Sequence, residues 1–165
     1  MGGYAAVRAA IELRAHQAIA FAPQVILEPS ERKALHLPPA SYDIPLEGLS
    51  ALGRAEGFTL SSLVDIANAA ATSDHSTTLE VHVGDQSPGD LTEAKLLQQA
   101  VSTLPAQLGL SCSVSVHEGC GHMNVAKTLR DSGELHELLL SATRRGCENP
   151  AIPEGFVGFV DCADF

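Results

Sequence analysis

Tyr4, Val7, Ile11 and Ala15 recur at spacings that place them on one stripe of a helix, with Arg8, Glu12 and Arg14 off that stripe. A short apolar run, Ala18 to Ala22, follows and stops at Pro23, which reads as a strand. The pattern then weakens. Residues 28–48 hold Pro29, Pro38, Pro39 and Pro45 among mixed charges and read as an irregular connection. Short helices are expected over 49–57 and 59–71, the second favoured by Ser61-Ser62 ahead of Leu63-Val64 and an alanine run. A polar loop is expected over 72–78.

Regular signals return in the second half. Leu79-Glu80-Val81-His82-Val83 alternates apolar and polar, as a strand with one drier face does. Residues 84–89 form a loop, and Asp90-Leu91-Thr92-Glu93 resembles a capping box, with Glu93 at the positive end of the helix. Ala94, Leu97, Val101 and Leu104 continue as a helical stripe ended by Pro105. Cys112, Val114 and Val116 alternate with Ser113, Ser115 and His117, giving another strand, and Gly119, Gly121 and His122 form the loop after it. Val125 and Leu129, then Leu135, Leu138 and Leu139, make a final helix broken near Ser132-Gly133. The order of elements predicts an α/β fold of few, mostly parallel strands flanked by helices. Strict alternation departs from the continuous apolar runs of a doubly covered parallel sheet, and edge positions for both late strands would account for it.

Composition narrows the function. The 165 residues are enough for one domain with a real core, and the 45% hydrophobic content is that of a globular chain. Aromatics are only 4%, so the core must rest on Leu, Val, Ile and Ala. Acidic residues outnumber basic ones 20 to 10, which argues against nucleic acid and against anionic lipid surfaces. No apolar run reaches the length of a membrane span, and the first residues lack a secretory pattern, so the expected location is cytoplasmic. Cys112, Cys120, Cys147 and Cys162 form no Cys-x-x-Cys and are expected as free thiols.

Two groups of residues could carry chemistry. His117, Cys120 and His122, with His82 or Cys112 nearby, have the atoms of a zinc site, but the spacing is too compressed for a familiar finger. Neither a metal nor a cofactor is therefore expected. His16, His36, His75 and His136 read as solvent-facing. The other group is a histidine in a glycine turn, His122, downstream of Asp85 and Asp90, two carboxylates in the loop after a strand.

The opening Met1-Gly2-Gly3-Tyr4-Ala5-Ala6, glycines leading into a helix, resembles the segment just after the nucleophile of an α/β-hydrolase, where the elbow pattern is G-x-S-x-G. Met1 would be its second x and Gly2 its last glycine, so the serine would lie immediately before Met1. The later order of strand, acid-bearing loop, helix, strand, Gly-Cys-Gly-His loop and helix matches the last third of that fold, over residues 1–27 and 78–142. The resemblance implies an incomplete hydrolase-like domain over 1–145, with a lid-like insertion at 28–77 and a tail at 146–165. It implies His122 as the base and Asp90, ahead of Asp85, as the acid; Asp90 could equally be a helix N-cap. It implies ester or amide hydrolysis of a small acyl substrate once an upstream segment completes the site. Without the serine, and with Met1 in place of the first oxyanion donor, this chain is expected to be inactive alone and to self-associate through an exposed strand edge. The alternative is a non-catalytic α/β module that binds a small ligand or a protein partner.

Overall fold

The computed structural model describes residues 2–38, 43–70, 76–105 and 109–147. In chain order they form α1 (Gly2–Glu12), β1 (Gln17–Phe21), α2 (Pro29–Ala34), α3 (Asp43–Glu56), α4 (Leu63–Ala70), β2 (Thr77–Gly84), α5 (Pro88–Thr103), β3 (Leu110–His117), α6 (Val125–Ser132) and α7 (Glu134–Cys147). The three strands make one sheet in the order β1-β2-β3, and both pairings are parallel. This is a partial α/β fold, as the alternation of strand and helix predicts.

The pairing register explains which residues are buried. Ala18 and Ala20 stand opposite Leu79 and Val81, which stand opposite Cys112 and Val114. That face carries the core, where Val7 and Ile11 of α1, Leu63 and Ala67 of α4, and Ala94, Leu97 and Val101 of α5 pack on it. Each fully buried Val or Leu here contributes about 1.5–3 kcal/mol relative to exposure. On the opposite face Ser111, Ser113 and Ser115 of β3 are exposed, and among the described residues a small cluster of Cys120, Val125 and Leu129, with Phe21 and Leu135 against it, covers one end. The alternation of β2 therefore has a different cause from the one expected. β2 is the central strand, not an edge; it alternates because the described residues cover the sheet's second face only in part.

The irregular connection expected over 28–48 is corrected, since α2 and the opening of α3 stand there, while α3 and α4 fall largely where short helices are expected over 49–57 and 59–71. Pro29 occupies the opening of α2, and Pro45 falls in the first turn of α3, where a missing N–H costs nothing because helix starts leave their N–H groups unbonded anyway. The capping box at Asp90 is corrected in the same way. α5 starts at Pro88 with Ser87 as N-cap, so Asp90 lies inside the first turn and is not the cap. Residues 71–75, which include His75 and most of the expected polar loop, lie outside the described residues. So does the expected tail, apart from the end of α7. His36 and His136 are exposed, whereas His16 is half-buried. Among the described residues no helix is long and apolar enough to cross a membrane.

Candidate active site

Adjacent parallel strands deliver their following loops to the same end of the sheet, where α/β folds place ligands. Here the loop after β2 carries Asp85 and leads to Asp90, and the loop after β3 carries His122. Two observations show how closely they meet. The amide of Gln86 donates to the carbonyl of Cys120 at 3.0 Å, and that of Asp85 to the carbonyl of His117 at 3.1 Å. A Cβ at Gly84 would collide with the Cys120 carbonyl, so the contact requires glycine.

The result is a side-chain pair. Asp90 Oδ2 lies 2.8 Å from His122 Nδ1, with side chains 15% and 21% exposed. A carboxylate only accepts, so Nδ1 carries the proton and Asp90 fixes both the tautomer and the plane of the ring. Asp90 also sits in the first turn of α5, where the positive end of the helix favours its negative charge. Asp85 is exposed, and the carboxylate facing His122 is that of Asp90.

His122 lines a cleft of about 400 Å³ with Gly2, Gly3, Ala6, Ile19, Phe21, Ala22 and Met123. The cleft joins the end of β1 to the start of α1. A Cβ on Gly3 would sit 2.7 Å from the Phe21 carbonyl, so this helix start can lie so close to the strand only as glycine. Ala22 ends the strand at φ 43°, a left-handed conformation that alanine adopts only when its surroundings hold it there. The first N–H groups of a helix have no intrahelical acceptor, so the cleft sets a positive helix end beside an imidazole.

The compressed run His117 to His122 divides among separate partners. His117 Nε2 lies 3.0 Å from His82 Nδ1, Cys120 Sγ lies 3.5 Å from Thr128 Oγ1, and His122 faces Asp90. Among the described residues no three His, Cys, Asp or Glu side chains gather as a metal site would need. His82 is buried, and its pKa is held below the usual histidine value by desolvation first and by His117 second. Burial pushes the Cys112 thiol up to about 11.

Arg32 carries no role in the sequence reading and Glu93 only that of a capping-box residue, yet both are buried and paired at 2.7 Å. Glu93 does not serve the helix terminus, as a capping box would have it. The signal was present: Glu93, Leu97 and Val101 fall four residues apart, which puts a carboxylate on the apolar stripe of α5. Comparison of the chain with family models, curated proteins and solved structures returned no match.

Proposed function

We propose that this chain carries the acid–base half of an α/β-hydrolase-type site for carboxylic esters or amides. The observation that carries the reading is the Asp90–His122 pair at 2.8 Å beside a cleft that opens at the N-terminus of α1. With Asp90 on Nδ1, Nε2 is the nitrogen that would take a proton from a serine hydroxyl placed at the start of α1 as that oxygen attacks an acyl carbon. The imidazolium formed would be stabilised by Asp90, and would return the proton to the leaving alcohol or amine. The serine would come from a segment ahead of Met1. A cytoplasmic setting accompanies this reading, supported by Cys112 and Cys120, which are both free thiols.

A second reading, a non-catalytic module binding a small ligand or a partner, is favoured by one observation. Among the described residues no hydroxyl or thiol side chain lines the cleft.

The coding sequence ahead of Met1 separates the two. The hydrolase reading expects an in-frame Gly-x-Ser there, and a chain extended to include it should turn over short-chain p-nitrophenyl esters. His122→Ala or Asp90→Asn in that extended chain should lower kcat about 10⁴-fold. A stop codon in place of Gly-x-Ser, or turnover indifferent to both substitutions, would reject the reading.

A further inference from the structure

We propose that Glu93 is a positioning residue for the Asp90–His122 pair, holding the two walls of the cleft at a fixed separation; this role rests on the hydrolase-type reading above. Asp90 stands in the first turn of α5, and that turn lacks the usual fastening, because Ser87 makes no side-chain cap bond. An uncapped first turn frays, and a frayed turn would carry Asp90 away from His122. The next fixed point along the helix is Glu93, one turn further in.

Its carboxylate is fully engaged. Oε2 accepts the N–H of Val25 at 2.7 Å and that of Ile26 at 3.1 Å, and Oε1 accepts Arg32 Nη1 at 2.7 Å. Val25 and Ile26 continue the chain from Phe21 and Ala22, which line the cleft together with His122. Arg32 strengthens the same joint by donating Nη1 to the Ile26 carbonyl at 2.8 Å and Nη2 to the Pro38 carbonyl at 3.0 Å. Pro38 in turn lies near Gly89, with room between them for a Cβ, which would meet the proline Cβ at 3.7 Å. The first turn of α5 is thus fastened from Glu93 on its inner side. Balancing one buried guanidinium would need only a carboxylate somewhere near it. Two consecutive backbone amides, from the segment that follows the cleft-lining Phe21 and Ala22, converge on one oxygen, and this is what makes Glu93 a spacer between that segment and the α5 turn that bears Asp90.

The test is the His122 Nδ1–H resonance in NMR spectra of the full 165-residue chain, read as its rate of exchange with water. Asp90→Asn supplies the reference for a lost pair. Glu93→Gln is expected to speed that exchange about tenfold more than it speeds exchange of the amides of Val81 and Val114 in the sheet, which report the global loss of stability. Should Glu93→Gln fail to fold, Arg32→Lys, which keeps the charge but not the forked donors, is expected to change the rate in the same direction. Exchange at His122 within about twofold of the wild-type rate, with the amides of Val25 and Ile26 opened, would show that Glu93 only fastens a loop, and would leave the hydrolase-type reading standing. A wild-type rate equal to that of Asp90→Asn would overturn the positioning role and the acid–base pair together.

Discussion

His82 Nδ1 and His117 Nε2 lie 3.0 Å apart across the neighbouring ends of β2 and β3, their rings nearly parallel. One proton serves that contact, and His82, which also packs against Phe21, is held neutral by burial. The backbone carbonyl of His82 accepts from Ala22, and that of His117 accepts from Asp85 and Cys120, so the two residues tie the end of β1 to β2 and the loops after β2 and β3 to each other. Because the folded pKa of His82 is depressed, its stabilising contribution is present above the unfolded value of 6.5 and is lost as pH falls below it. His117 opposes a second charge there, while Glu80 partly favours one. Urea unfolding at pH 7.5 and pH 5 should show the loss, about 1.4 kcal/mol at most per pH unit per proton, and His82→Gln should flatten the dependence. Equal slopes in both proteins would reject this assignment.

Removing one partner of the Arg32–Glu93 pair strands a buried charge. Arg32→Ala should destabilise the fold by about 3–5 kcal/mol, whereas replacing both residues by apolar ones of similar volume should cost less than either single change. Denaturant midpoints of the two single variants and the double variant decide this.

Gly84→Ala places a methyl against the Cys120 carbonyl. The loops after β2 and β3 must then separate, at a cost of about 1–3 kcal/mol. The loss should exceed that of Gly48→Ala, where a Cβ meets nothing within 4 Å. Thermal unfolding of the two variants provides the comparison.

Much of this was legible in the residues because local pattern and final packing agree. The stripe of Val7 and Ile11 is buried as its spacing predicts, and Leu79, Val81 and Val114 alternate because one face of the sheet is dry. Prolines misled. Pro29, Pro45 and Pro88 break structure in a linear reading, yet each sits in the opening turn of a helix, a position set by the helix-forming residues after it. The Asp90–His122 meeting needed the parallel pairing of β2 with β3, which no local window contains. The partners of Glu93 were hidden for a related reason. Its amide donors, Val25 and Ile26, lie 68 and 67 residues away along the chain.

The last expectation concerns the free side of β1. This strand bonds to β2 along one edge, and among the described residues no strand pairs with the other. An unpaired edge offers alternating N–H and C=O groups, and here Ile19 and Phe21 add apolar side chains that are only half-buried. Such an edge recruits another strand, from an upstream segment or from a second copy of the chain. We therefore expect the 165-residue chain to associate as its concentration rises. Sedimentation velocity at several concentrations, paired with thermal unfolding, should show larger species and a concentration-dependent transition. Ile19 stands outside the main core, so Ile19→Lys should weaken association through charge at the edge while leaving the packed face intact. A monodisperse monomer with a sharp, concentration-independent transition would reject association through β1, and would favour the self-contained binding module over the half-site of a hydrolase.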